Sequence, residues 1–197
     1  MVLGVALFVL ALSAWASIPQ RAYQYQRDLT RNARLVWGLN APVATFAAQI
    51  HQESAWLPDA RSPYANGLAQ FTPATADWIS EAYPHELGDN RPFNPSWALR
   101  ALVRYDRHLW SRVDASNECE RMAFTLSSYN GGGGWVSRDR KLAEQSGADP
   151  NKWFGHVEHY STRAKWAFEE NRAYPRRILL TLEPMYSAWG PGVRCEL

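Results

Sequence analysis

A carboxylic acid at the end of an oily helix is placed for proton transfer, and Glu53 has that position in the sequence. Val43, Phe46, Ala47 and Ile50 recur at helical spacing, and Glu53, three residues past Ile50 and seven past Phe46, continues their stripe. Apolar surroundings disfavour the charged form, and an acid poised near ~6–7 can protonate a leaving oxygen at neutral pH. A structural Glu held by an Arg or Lys would look the same in isolation, because buried ion pairs also carry shifted carboxylates.

Three more clusters change the weight of that residue. Glu53 lies in His51-Gln52-Glu53-Ser54-Ala55-Trp56. The stretch from Ser62-Pro63 to Thr75 comes next, with Gly67 able to bring backbone close to a ligand. Within it Gln70 can both donate to and accept from an amide or hydroxyl, and Thr72-Pro73 locks the start of the next helix. A third cluster runs Ser127-Ser128-Tyr129-Asn130-Gly131-Gly132-Gly133-Gly134-Trp135, and a fourth Glu169-Glu170-Asn171-Arg172-Ala173-Tyr174-Pro175.

The elements that must carry these clusters read as helices. Pro19 opens a polar, Arg-rich helical stretch over residues 19–38, and Asn40 with Pro42 opens the helix ending at Glu53. Residues 58–67 are rich in turn formers, with room for a small hairpin at Asn66-Gly67. Thr72 caps a helix to about Tyr83, residues 84–95 read as a loop, and Asn94-Pro95 introduces the stripe Ala98, Leu102, Tyr105, Leu109. Asn117 with Glu120 has the form of a capping box before Met122, Leu126 and Tyr129, in a helix that stops at Asn130-Gly131. Further helices are expected over 136–145 and 157–171, with Pro175 beginning a last short one. Long alternating runs are missing, so the class is mainly α.

Composition narrows the partners. The 197 residues carry a formal charge of +2 and a pI of about 8.6, too mild to point to nucleic acid. Ten Trp, nine Tyr and seven Phe are many for this size, and the excess suits a carbohydrate groove, although most of these rings must be core. Cys119 and Cys195 permit one disulfide in an oxidising compartment and equally well two buried thiols; their spacing matches no metal motif. His156, Glu158 and His159 read as a solvated helix rather than a metal site, and Arg138-Asp139-Arg140-Lys141 as a solvated face. Gly131 to Gly134 lacks the strand and the Lys-Ser or Lys-Thr of a phosphate cradle.

The N-terminus is a separate object. Residues 1–18 carry no charge and would reach roughly 27 Å as a helix at ~1.5 Å per residue, marginal for a membrane span. Ala14-Trp15-Ala16 has the small-x-small form of an export cleavage site, yet no Lys or Arg precedes the apolar run. The first arginines, Arg21, Arg27, Arg31 and Arg34, lie downstream, and by the positive-inside tendency they favour a cytoplasmic body. Charge bias and segment type therefore disagree.

Taken in order, the four clusters resemble the lytic transglycosylases of the soluble, lysozyme-like type, over residues 40 to about 180. The pattern is E-S, then S-P-x-x-x-G-L-x-Q-x-T-P-x-T, then Y-N-G, then E-x-R-x-Y. Phage endolysins look closest, on Ser128 to Gly132 followed by Gly134-Trp135-Val136 and Arg138-Asp139-Arg140. The resemblance implies a mainly α, lysozyme-like catalytic domain over 40–197, with at most a small β-hairpin. It would come after an apolar signal or anchor helix over 1–18 and a polar helical linker over 19–39.

It also implies roles. Glu53 aligns with the family's single catalytic acid and base; Ser54, Ser62, Gly67 and Gln70 match its groove signature. Tyr129 and Asn130 match residues lining the cleft, and Tyr174, with Glu170 behind it, matches the tyrosine that orients acid or substrate. Phe71 departs from the smaller side chain that many members carry, so the cleft is expected to differ there. No metal and no cofactor are expected. The implied partners are peptidoglycan glycan strands and, through residues 1–18, the cytoplasmic membrane, with a monomer acting on its periplasmic side.

The residues alone also accommodate that chemistry. A two-carboxylate glycosidase needs a second Asp or Glu flanking the bond, and the nearest in sequence, Asp59, sits in a turn with no partner motif. One carboxylate suffices if the sugar's own 6-hydroxyl attacks, giving a 1,6-anhydro ring when the bond between N-acetylmuramic acid and N-acetylglucosamine is cut. A goose-type lysozyme-like hydrolase is the alternative, and a non-catalytic, membrane-tethered wall-binding protein a third.

Overall fold

The computed structural model describes residues 17–196, so the apolar helix expected over 1–18 lies almost wholly outside the described residues. The described chain is built from helices, with two isolated antiparallel bridges, Arg61 with Asn66 and Asn66 with Phe71, in the turn-rich interval. A 3-10 turn, Gln20–Tyr25, leads into α1 (Gln26–Trp37) in place of one continuous helix. Leu29, Asn32 and Ala33 of α1 are buried, and α1 lies along α5 (Pro95–Trp110), so this stretch is packed into the body.

The centre of the molecule is α2 (Val43–Ser54). Every residue from Val43 to Ile50 is buried, because α2 meets α1 on one side and the C-terminal turns on another. The stripe anticipated on this helix is thus a belt: a helix surrounded by protein is apolar all round. Asn40 does not cap it; Pro42 precedes the first turn without a side-chain bond.

Elsewhere local chemistry sets the ends. Thr72 accepts from the Thr75 amide at 3.2 Å to start α3 (Pro73–Ala82), and Asn94 accepts from Trp97 at 3.1 Å to start α5. Residues expected as a loop include a single turn, α4 (Pro84–Leu87), whose Leu87 is fully buried. Asn117 caps α6 (Glu118–Gly131) through the Glu120 amide at 2.9 Å, but only half of the capping box forms. The Glu120 carboxylate instead reaches across to the Trp153 and Phe154 amides at 2.6 and 3.0 Å.

Gly132, with φ of 89°, breaks α6 from α7 (Gly133–Gln145), so α7 starts three residues before Val136. The helix expected over 157–171 is divided: a 3-10 turn at Val157–His159, an extended break, then α8 (Lys165–Arg176). Pro175 sits inside α8 and does not begin a new helix. Lacking an N–H, it interrupts the i to i−4 ladder, and the chain relaxes into a π segment, Arg177–Leu182, before a 3-10 stretch, Glu183–Trp189. The tail is pinned twice. Glu183 accepts from the Val193 and Arg194 amides at 3.3 and 3.0 Å, and Cys195 forms a disulfide with Cys119 at the start of α6.

Candidate active site

Glu53 stands in the last turn of α2 on the wall of a cleft of about 590 Å³, half-buried and open to that space. The turn behind it is unusual. Ala55 and Trp56 both take left-handed backbone, φ 48° and 65°, at a cost of about 1–3 kcal/mol each. Complete burial of the Trp56 ring offsets it, and the indole N–H donates to the Tyr186 oxygen at 2.7 Å, itself 2.9 Å from Nδ1 of His51. This knot of three aromatic groups holds the end of α2, and with it the acid.

The electrostatics around Glu53 favour a held proton. Burial pushes its carboxyl up to about 8; the hydrogen bond from the Tyr174 hydroxyl to Oε1 lowers it, and the Glu170 charge raises it. Its place at the carbonyl end of α2 acts in the same direction as burial, since the helix dipole there opposes a negative charge. Tyr174 is buried on α8, and burial with the nearby Glu53 carboxyl keeps its phenol well above the usual range, a permanent donor. An acid that stays protonated at neutral pH, facing open space, can deliver a proton to a bound oxygen.

The structure gathers most of the sequence-derived residues here. Gln70, Tyr129, Asn130, Glu170 and Ser62 all line the same cleft as Glu53 and Tyr174. Tyr129 is fixed by donating to the Ala69 carbonyl at 2.6 Å, and Gln70, left-handed at φ 46°, spends its amide nitrogen on the Gly67 and Ala60 carbonyls at 2.9 and 3.2 Å. The Ser62 hydroxyl caps its own turn by accepting from the Ala65 amide at 2.9 Å. Glu170 lies in the cleft beside Asn130, one turn before Tyr174 on α8, and accepts from the Asn130 side-chain amide at 3.4 Å.

Two residues fall elsewhere. Ser54 is buried and its hydroxyl donates to the Ile50 carbonyl at 3.3 Å, turned into the body. Gly67 is buried at φ 76°, and a Cβ there would come within 1.9 Å of the Pro92 carbonyl oxygen, so its close approach is to the protein's own backbone. Phe71, 2% exposed, packs on Tyr129, Tyr105 and Trp97 as the cleft's apolar floor. Tyr64 and Trp166, 79% and 71% exposed, offer free ring faces to a ligand. Asp59 does not line the cleft.

Sequence reasoning missed what supports the site. Asn171 accepts from the Ser127 hydroxyl at 2.8 Å and donates to the Asn130 oxygen at 2.9 Å, tying α8 to α6. Arg172 is buried against Asp139 at 2.8 Å and donates to the Glu158 and Tyr160 carbonyls. Asp139, expected on a solvated face, is therefore internal, and Glu158 is taken up by Arg176 and the Gly155 amide. Arg172 lies inside the E-x-R-x-Y signature, and its fixed spacing from Tyr174 was the available signal. A Cβ on Gly131 would sit 2.2 Å from Nη1 of Arg163, so the Y-N-G glycine leaves room for that guanidinium.

Comparison with known proteins gives the family. Residues 35–152, more than half of the chain, match the family described as Transglycosylase SLT domain. A membrane-bound lytic murein transglycosylase F from Vibrio parahaemolyticus is 38% identical over 110 residues, 55% of this chain and 19% of that protein. Proteins of the same name from Marinobacter nauticus and Shewanella loihica are 32% and 36% identical over 141 and 110 residues, 69% and 55% of this chain. These alignments take in 25% and 21% of the relatives, so the chain spans no more than about a quarter of the length of the proteins it matches. On the family match, the helical fold and the ordered signatures together, the chain belongs to the Transglycosylase SLT domain family.

Proposed function

We propose that this chain is a peptidoglycan lytic transglycosylase in which Glu53 works alone, first as acid and then as base. The observation that carries the reading is a carboxyl held protonated by burial, hydrogen-bonded to Tyr174, and open to an aromatic-lined cleft. Glu53 protonates the glycosidic oxygen between N-acetylmuramic acid and N-acetylglucosamine, the C1–O bond breaks, and positive charge develops on the muramoyl ring. The carboxylate left behind removes the proton from that ring's 6-hydroxyl as its oxygen bonds to C1. Glu53 ends protonated again, and the product is 1,6-anhydro-N-acetylmuramic acid, with no water consumed. Tyr174 stabilises the transient carboxylate through the same hydrogen bond.

A hydrolytic reading has one observation in its favour, the presence of Glu170 in the same cleft. A hydrolase would need that second carboxylate ionised to activate or replace water, which gives activity an acidic limb as well as an alkaline one. Digestion of purified peptidoglycan and mass analysis of the fragments separate the two: the anhydro product is lighter by one water. Glu170→Gln is expected to keep that product and to lower the rate by no more than about threefold, as befits a residue outside proton transfer. Reducing-end products that vanish in Glu170→Gln would overturn the assignment.

Location is argued from the substrate. Peptidoglycan lies outside the cytoplasmic membrane, and the Cys119 to Cys195 disulfide suits an oxidising compartment; both support a body that works on the periplasmic side. Tethering through residues 1–18 is in keeping with the membrane-bound relatives. Among the described residues no helix is long and apolar enough to cross a bilayer.

A further inference from the structure

Beneath Glu53 lies a second buried acid that takes no part in the proposed proton transfers. Asp106 on α5 has no exposed surface, and neither has Gln49, one turn before Glu53 on α2. The Gln49 amide nitrogen donates to Oδ1 of Asp106 at 3.4 Å. Two oxygens of the same pair, Gln49 Oε1 and Asp106 Oδ2, are buried with no hydrogen-bond partner. Two bare acceptors cannot satisfy each other, but one proton between them satisfies both.

We infer that Asp106 stays protonated in the working protein and donates Oδ2–H to Gln49 Oε1, closing a two-bond acid–amide ring that ties α5 to α2 below the catalytic acid. The ring accounts for both orphaned atoms at once. Among the described residues nothing facing Asp106 supplies a compensating positive charge: Glu53 approaches from α2, Tyr129 from α6, Tyr174 from α8, and Tyr105 adjoins it on α5. The nearest arginines of α5 are engaged elsewhere, Arg104 with Glu86 and Arg107 over the Trp37 ring, and α1 meets α5 through Asn32, held by Arg100, and Trp37. Burial accordingly drives the Asp106 carboxyl well above the usual range, with the Gln49 bond lowering it and Glu53 raising it.

A neutral Asp106 matters to its neighbour. It anchors the α2 turn that precedes Glu53 without setting a fixed negative charge beside it, so Glu53 can become a carboxylate between the two halves of the reaction. Asp106 is a positioning residue in this sense. That catalytic consequence rests on the proposed role of Glu53, whereas the protonated ring does not.

The test separates the two. In full-length Glu53→Gln at pH 7, infrared spectroscopy is expected to show the carbonyl stretch of a protonated carboxylic acid, and Glu53→Gln/Asp106→Asn to lack it. Absence of that band in folded Glu53→Gln overturns the inference. Asp106→Asn keeps the ring without a titrating proton, so the ratio of its folding constant to that of wild type is expected to climb by up to about tenfold per pH unit above ~4. Glu53 titrates in both proteins and drops out of that ratio. A flat ratio from pH 5 to 8, as a merely structural Asp would give, overturns the inference as well. Should Glu53→Gln still cleave peptidoglycan, the function fails while the band still decides the ring.

Discussion

Two clusters of buried acids lie in this domain, and they differ in one respect. Glu53 and Asp106 have tyrosines, an amide and each other for company; Asp139 and Glu158 have Arg163, Arg172 and Arg176. Among the described residues no Lys or Arg pairs with either member of the first cluster. Burial there outweighs the hydrogen bonds from Tyr174 and Gln49, and the proton is kept. In the second, burial raises the Glu158 carboxyl, but the Arg176 hydrogen bonds and charge and the Gly155 amide overcome it, leaving Glu158 below its ordinary value. The first cluster can exchange a proton; the second holds α8 in place with fixed charges.

The sharpest way to break the contrast is to remove the exchanging proton. Glu53→Gln is expected to lower peptidoglycan lysis by about a thousandfold or more while folding and wall binding persist, measured by turbidity loss of purified walls and by sedimentation. A variant that still lyses would sink the distinction. On the paired side, Arg172→Met leaves Asp139 short of its closest cation and is expected to cost about 3 kcal/mol in urea unfolding, with the digestion product unchanged.

Tyr174→Phe tests the link between acid and phenol. It removes the one hydrogen bond that favours the Glu53 carboxylate, so lysis falls about tenfold and its alkaline limb, expected near pH 8, moves upward. A limb moving downward would mean that Tyr174 is not the group stabilising the charge.

The smallest effects carry the clearest sign. Glu53 binds its proton more tightly folded than unfolded, so wild type loses stability as pH climbs from ~4.3 toward about 8. Glu53→Gln escapes that loss and is expected to gain about 1–3 kcal/mol at pH 8 and nothing at pH 4, allowing for water in the cleft. Glu158 is depressed when folded, so its contribution is present above ~4.3 and disappears on acidification. Glu158→Gln is therefore expected to be less stable than wild type by about 1 kcal/mol at pH 7, the gap closing toward pH 3. Parallel slopes in chemical unfolding would show that the clusters are not different in kind.

The cleft side was the more legible of the two. Glu53, Gln70, Tyr129, Asn130 and Tyr174 come from short signatures in fixed order, and backbone geometry within each signature carries its residues to the cleft. The helix that carries Glu53 is nonetheless buried all round from Val43 to Ile50, so no single oily face aims the acid. Ser54 and Gly67 share the signatures but serve the fold, one bonding its own helix and the other making room for Pro92. Asp139 was hidden because its immediate neighbours Arg138, Arg140 and Lys141 describe a solvated run, while the guanidiniums that bury it arrive from Arg163 and Arg172, far along the chain. Asp106 was hidden for the same reason: a lone acid on an amphipathic helix looks like surface until α2 covers it. Pro175 misled because a proline usually opens or ends a helix, and here the π turn after it absorbs the missing bond.

The disulfide between Cys119 and Cys195, 76 positions apart, makes a covalent hoop. Tyr129, Asn130, Glu170 and Tyr174 all ride on that hoop, whereas Glu53, Gln70 and Ser62 ride on open chain. Closing a ring of this size restrains the unfolded chain by about 4 kcal/mol. A reducing milieu would thus widen the ensemble against which the whole fold competes, and both sides of the cleft would become easier to lose together.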